Sequence, residues 1–438
     1  MKKRRVIAAA AVCLMLTGCS GLGLNSAELL TPPKAQGNQA QIQELIQHNA
    51  PNGYEMIYPE EGDYKSSVIF YDLDGDNDED AVAMYSPDKE NIKILIAENN
   101  GFNYTMKSEC SVFTPRLNRV EFADLNGDGT SEIVVSYPGT PAMQSMTVIS
   151  IGGDAAQTDL VNLCAEHLIR DFDGNGKNDL LTIAIADGEN LPTARLWVDN
   201  GGSLYEQSSC EVASDVREYI SLSFGKLSDE VSGAVIDAKC ADGEYSTQLL
   251  CYDYNARGIV NPLYVSSSYQ KTKRDAAVTS ADIDRDGKIE IPVCHMMEYA
   301  QNEESSSVCD RIDWSSYDYS QLSLEVKQSA ILCDRLGFLL NLTPEHADIV
   351  TARYIGENAA AVYLWEYKRN TPERTSRLLT IKRYEKSAYD KDTVLEAVAG
   401  QNSDYVYTYV IDSVEGFYGY TDDEVINNFV LIEDQIKS

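Results

Sequence analysis

Asp124-Leu125-Asn126-Gly127-Asp128-Gly129-Thr130-Ser131-Glu132 is an acidic nine-residue segment that runs directly into Ile133-Val134-Val135-Ser136-Tyr137. Nearly the same segment occurs three more times. Asp72-Leu73-Asp74-Gly75-Asp76-Asn77-Asp78-Glu79-Asp80 precedes Ala81-Val82-Ala83-Met84-Tyr85. Asp171-Phe172-Asp173-Gly174-Asn175-Gly176-Lys177-Asn178-Asp179 precedes Leu180-Leu181-Thr182-Ile183-Ala184-Ile185. Asp282-Ile283-Asp284-Arg285-Asp286-Gly287-Lys288-Ile289-Glu290 precedes Ile291-Pro292-Val293-Cys294. Each copy has oxygen-bearing side chains at positions 1, 3, 5 and 9. A hard cation such as Ca²⁺ takes six to eight oxygens, with backbone carbonyls and water completing the shell. Glycine at position 4 or 6 lets the chain curl at positive φ. An acidic surface turn without a ligand would explain one such loop, but four in one register point to a cation.

The flanking sequence excludes an EF-hand, which needs a bidentate Glu at position 12 and a helix on either side. Position 12 is Ala83, Val135, Thr182 or Val293. The short aliphatic and β-branched runs after the loops read as buried strands, as do Val68–Tyr71 and Val120–Ala123 before them. The expected unit is strand, loop, strand, with an ion held in the turn.

The first aspartates fall at 72, 124, 171 and 282, in steps of 52, 47 and 111 residues. The double step predicts a worn copy near Ser223-Phe224-Gly225-Lys226-Leu227-Ser228-Asp229-Glu230. With Gly225 at position 1, only Asp229 keeps a ligand and Gly233 replaces the position 9 acid, so this copy keeps a hairpin and loses the metal. A period of about fifty residues suits four-stranded blades, and periods of this size mark propellers and other repeat arrays.

Over residues 51–325 the loops and strands resemble the FG-GAP/VCBS repeats of integrin-α-type β-propellers. The resemblance implies a mainly β fold, a propeller with at least five recognisable blades, followed over 326–438 by a small α+β domain. It implies about four structural Ca²⁺ sites. Their side-chain ligands would be Asp72, Asp74, Asp76 and Asp80; Asp124, Asn126, Asp128 and Glu132; Asp171, Asp173, Asn175 and Asp179; and Asp282, Asp284, Asp286 and Glu290. Carbonyls of Asp78, Thr130, Lys177 and Lys288 would complete the shells. Two residues depart from the pattern: Asn77 at position 6, which tolerates the left-handed conformation, and Arg285 at position 4.

The amino terminus carries a compartment signal. Lys2-Lys3-Arg4-Arg5 precedes an apolar Val6–Leu16 stretch too short for a mature membrane span. Leu16-Thr17-Gly18-Cys19 resembles a bacterial lipobox, implying cleavage after residue 18 and lipidation of Cys19. An ordinary secretory signal is the alternative. Residues 19–50, with Pro32-Pro33, read as a flexible tether. The expectation is a lipoprotein held extracytoplasmically at the bacterial envelope membrane.

Composition fits that setting. The formal charge is −33, and losing the four basic residues of the signal leaves about −37, which argues against nucleic acid as a partner. Ten cysteines are present. Beyond Cys13 and Cys19, eight remain, and an oxidising compartment permits disulfides. Cys240 with Cys251, and Cys294 with Cys309, fall on successive expected strands. The alternative is buried free thiols acting as small apolar groups.

Past residue 326 the period breaks. Phe338–Leu342, Ala360–Tyr367, Ser376–Tyr384 and Tyr405–Ile411 read as strands. Thr421-Asp422-Asp423-Glu424 is a capping box before an apolar-periodic stretch to Ile436, expected as one amphipathic helix. Trp365 and neighbouring tyrosines offer platforms for a ligand such as a sugar, or serve as ordinary half-buried strand residues. The four histidines, His48, His167, His295 and His346, form no HExxH, and no GxSxG elbow or Walker loop occurs. The reading favoured is a non-catalytic binding or adhesion module for a surface protein or glycan. A polysaccharide hydrolase or lyase built on a propeller is the alternative.

Overall fold

The computed structural model describes residues 37–152, 155–188, 191–297, 307–368, 371–412 and 419–435. The lipobox-like stretch and Cys19 lie outside them. Among the described residues strands dominate, arranged in six antiparallel sheets. The chain divides into two compact units, the first built mainly from residues up to 115 and the second from Arg116 onward.

In the first unit, helix α1 (Asn38–Asn49) packs on sheet I (strands Glu55–Met56, Val68–Tyr71, Asp80–Ser86, Ile92–Asn99 and Tyr104–Val112). Residues 38–49 were expected within the tether. They fold because Ile42 and Ile46, four residues apart on one helix face, are fully buried among Ala81, Ala83, Leu95 and Tyr104. Burying two such side chains contributes about 3–5 kcal/mol, enough to hold a 12-residue helix that would be marginal alone. Gln41 and Asn38 fix its start through the Tyr104 backbone N–H and hydroxyl.

The second unit repeats one pattern. Sheet II (Arg119–Ala123, Glu132–Pro138, Gln144–Gly152, Ala155–Cys164), sheet III (Glu166–Arg170, Asp179–Ala184, Thr193–Asp199, Leu204–Glu211) and sheet IV (Val216–Lys226, Ser232–Cys240, Tyr245–Asp253, Gly258–Val260) each place four strands in sequence order. That is the up-and-down order of a propeller blade. The second strand of each is almost entirely buried. This explains why those strands read as largely apolar runs, and it sets Glu132 and Asp179, which open the second strands of sheets II and III, in the interior.

Sheet V (Ile291–Met296, Asp310–Asp318, Ser323–Cys333, Phe338–Asn341 and Phe429–Leu431) runs across position 326, where the sequence period suggested a boundary. Its third and fourth strands pair continuously from Ala330↔Asn341 to Cys333↔Phe338. Sheet VI (Val350–Tyr354, Ala359–Lys368, Thr371–Glu385, Ala397–Gln401, Tyr405–Ile411) follows, and sheets V and VI share one apolar cluster around Phe338, Val362, Leu379 and Tyr407.

The expected terminal helix is divided. The capping box forms as read, with Thr421 and Glu424 satisfying each other's backbone N–H groups at the start of a helix over Asp422–Asn428. The chain then becomes extended over Phe429–Leu431 and pairs with Phe338–Leu340, before a last turn at Ile432–Gln435. Helical spacing lost to tertiary pairing here: Phe429 stacks on Phe338 at 5.2 Å between ring centroids.

Candidate cation sites and the comparisons

Each acidic segment is a hairpin loop whose last hydrogen-bonded pair joins the residue before position 1 to position 9. The pairs are Tyr71↔Asp80, Ala123↔Glu132, Arg170↔Asp179 and the isolated bridge Ala281↔Glu290. Positions 4 and 6 adopt positive φ in all four: Gly75 and Asn77, Gly127 and Gly129, Gly174 and Gly176, Arg285 and Gly287. Arg285 therefore does not alter the loop; it adopts φ 65° in place of a glycine.

A repeated set of internal hydrogen bonds follows. The position 6 N–H donates to the position 1 carboxylate at 2.9–3.0 Å: Asn77 to Asp72, Gly129 to Asp124, Gly176 to Asp171, Gly287 to Asp282. The position 7 N–H donates to the position 5 side chain: Asp78 to Asp76, Thr130 to Asp128, Lys177 to Asn175, Lys288 to Asp286. The position 5 N–H donates to position 3 as well, onto Asn126, Asp173 and Asp284. These bonds turn side-chain oxygens from successive residues inward.

The convergence is measurable. Carboxylates of Asp72, Asp74 and Asp76, of Asp171, Asp173 and Asp179, and of Asp282, Asp284 and Glu290 each lie within 4.8 Å of one another. Such like charges repel strongly at that range unless a cation or protons intervene. The second loop is different: Asn126 Nδ2 donates to Glu132 Oε1 at 2.8 Å, so an amide proton already faces its position 9 acid.

Position 9 opens the buried strand, and its environment shows it. Burial pushes Glu132 up to about 7, against the Leu125 N–H it accepts and with Asp128 and Asp124 adding to the rise. Asp179 is pushed up to about 6 and Glu290 to about 7, again chiefly by burial and then by neighbouring loop aspartates. Phe172 N–H and Ile283 N–H donate to these two carboxylates at 2.8 and 3.1 Å. Asp80 is also buried, and its Oδ1 accepts from Asn99 N–H at 2.9 Å. A donor set of carboxylates and amides on a curled backbone fits a hard divalent cation.

Position 2 was overlooked in the sequence. Leu73, Leu125 and Phe172 are buried, pinning the loop while their neighbours stay polar. An apolar residue there in every copy was the available signal.

The fifth turn keeps the expected hairpin. The hairpin between Val216–Lys226 and Ser232–Cys240 zips through Gly225↔Gly233 to Lys226↔Ser232, leaving a turn of residues 227–231. Asp229 points outward and pairs with Lys288 of the fourth loop at 3.0 Å. Adjacent loops also touch elsewhere, as Lys177 Nζ reaches Asn126 O at 3.3 Å.

Two of the histidines, His167 and His346, hold structural places. His167 is buried and bonded to Glu121. His346 Nδ1 meets Thr343 Oγ1 at 2.8 Å and the ring stacks on Tyr420. Neither expected cysteine pair is juxtaposed: Cys240 Sγ lies against Ser246 and Tyr269, Cys251 Sγ against Tyr319 Oη, and Cys309 against Cys333. In the ladders Cys294 stands opposite Ile312, and Cys251 opposite Gly233, which is what separates the pairs that strand order alone suggested.

Residues 72–135, spanning the first two loops, match the family model described as an FG-GAP-like repeat. No curated protein matches the sequence. Among solved structures, a Lactobacillus plantarum protein is 11% identical, covering 68% of this chain and 81% of its own, with a TM-score of 0.28. Saccharomyces cerevisiae Sqt1 is 11% identical over 80% and 86%, TM-score 0.30, and Chaetomium thermophilum Sqt1 is 11% identical over 72% and 74%, TM-score 0.29. Likenesses this distant carry no functional argument. The chain is a mainly β protein with an FG-GAP-type repeat.

Proposed function

We propose that this chain is a non-catalytic binding module of the bacterial cell envelope, a propeller of FG-GAP-type blades stiffened by Ca²⁺ and held at the membrane by a lipid on Cys19. The observation that carries the metal part is the hydrogen-bond set repeated in four loops, which in three of them goes with converging carboxylates, and in the third and fourth gathers these around the buried position 9 acid. Bound Ca²⁺ would supply positive charge to offset those carboxylates. The chain's own residues do the rest: left-handed positions 4 and 6 curl the loop, position 2 anchors it, and position 9 ties it to a buried strand. Stiff hairpins then present the surrounding loops to a surface protein or glycan at low entropic cost on binding.

The lipid anchor and compartment rest on the Lys2–Cys19 pattern. Metabolic labelling with a palmitate analogue is expected to mark the wild type and not Cys19→Ala. Calorimetric titration of the soluble chain with Ca²⁺, and melting with and without EGTA, tests the cation sites. No heat of binding and no change in Tm would remove Ca²⁺ from the proposal. A pull-down from envelope extract, with Ca²⁺ and with chelator, tests the binding role.

A further inference from the structure

Away from the acidic loops, sheets V and VI enclose a cavity of about 450 Å³ lined by His295, Met297, Arg311, Asp313, Val350 and Trp365, with Ala347 and Asp348 at its edge. That volume lies within the range of small-ligand sites. Its floor is polar and pre-ordered. Arg311 Nε donates to Asp313 Oδ1 at 2.8 Å, one terminal nitrogen donates to Ala347 O at 2.8 Å, and the other to Ser329 Oγ at 2.8 Å. Ser329 Oγ in turn donates to Asp313 Oδ1 at 2.6 Å. These bonds fix both side chains before any ligand arrives.

Three features define the ligand. First, charge cancels at the floor, because the Arg311 guanidinium already faces the largely buried Asp313 carboxylate. Asp348, 3.6 Å from Arg311, is 88% exposed and left to water. A strongly charged ligand would therefore be desolvated without a free counter-charge. Second, Asp313 Oδ2 keeps an open acceptor position: its neighbour is His295 Nε2 at 3.5 Å, beyond hydrogen-bond length. A hydroxyl between the two would accept from one and donate to the other. Third, Trp365, Met297 and Val350 add indole and aliphatic surface.

We propose that this cavity binds one neutral sugar residue of a glycan, its hydroxyls bridging Asp313 and His295 and its C–H face lying on Trp365. A pyranose has the required pairing, hydroxyls along its rim and an apolar face. The proposal deepens the binding-module reading and rests on it, but it does not depend on cations in the acidic loops.

The test is calorimetry and tryptophan fluorescence with the Ca²⁺-loaded chain against a panel of neutral oligosaccharides. At least one is expected to bind at millimolar concentration or better. Trp365→Ala is expected to weaken it about tenfold, the scale of a lost ring contact. His295→Ala, which alters a half-exposed side chain, carries the same expectation should Trp365→Ala fail to fold. Unchanged affinity in both folded variants would overturn this site while leaving a glycan-binding module in place. No binding across the panel would overturn the proposal, and capture of an envelope protein would then keep the broader reading. Preference for oligolysine over every neutral sugar would also overturn it.

Discussion

Cys309 and Cys333 face each other with their sulfur atoms 3.2 Å apart, one residue beyond the last paired position of two strands, Asp310↔Leu332. Both are buried in the cluster shared by sheets V and VI. Two thiols this close can lose two protons and two electrons to an oxidant such as a small-molecule disulfide and form one S–S bond. Refolding with glutathione disulfide is expected to lower the intact mass by two hydrogens, and peptide mapping should join these two cysteines. The bridge closes a span of 24 residues, worth about 3 kcal/mol in the chain-entropy account. Cys309→Ala should lose the reductant-sensitive part of Tm. Mapping that pairs either residue with Cys294 or Cys240 would contradict the geometry.

Arg285 carries the left-handed conformation that glycine carries in the other three loops. For a residue with a Cβ this conformation costs about 1–2 kcal/mol, and Arg285→Gly removes that cost while losing some chain stiffness in the unfolded state. A gain of about 1 kcal/mol is expected, readable as a higher midpoint in urea at unchanged slope. A loss of stability would mean that the side chain contributes more than its backbone strain costs.

Asp179 offers a sign test of the cation sites. Its carboxylate is buried within 4.8 Å of those of Asp171 and Asp173. Without a cation, Asp179→Asn removes one of three crowded charges and is expected to raise Tm in EGTA. With Ca²⁺ present it removes a ligand, so the gain on adding Ca²⁺ should shrink. A structural role alone predicts the same change under both conditions. An unaltered Ca²⁺ increment would remove this residue from the site.

The loops were legible because their constraints are local. Oxygen spacing, left-handed positions and the apolar run beginning at position 9 all lie within about a dozen residues, and the structure keeps that register in all four. The fifth hairpin was also legible from the double step, although Gly225 itself pairs with Gly233, one residue out of the register of the four loops. What escaped was set by distant partners. Ile42 and Ile46 look like isolated apolar residues in a polar tether until sheet I covers them. Phe429 fits a helical stripe until Phe338 and Leu340 offer an unpaired strand edge. The cavity of Arg311, Asp313 and Trp365 joins residues up to 70 positions apart in the sequence, so no local pattern marks it.

Asp310 gives the clearest dependence on pH outside the loops. Burial, with Asp334 and then Asp275 nearby, pushes its carboxyl from the usual 3.8 up to about 6. A raised carboxylate weakens the fold on ionising. Between about pH 4 and 6 the unfolded chain has released this proton while the folded chain keeps it, so its contribution to stability falls as pH rises. Above that window the penalty is fully present. Asp310→Asn is therefore expected to stabilise the protein at pH 7.5 by about 1 kcal/mol, discounted for partial exposure, and to change little at pH 3.5. Melting curves of both proteins in chelator across pH 3.5–7.5 check this, since loop cations would add their own pH dependence. Parallel curves at all pH values would place the carboxyl in a wetter setting than its burial implies.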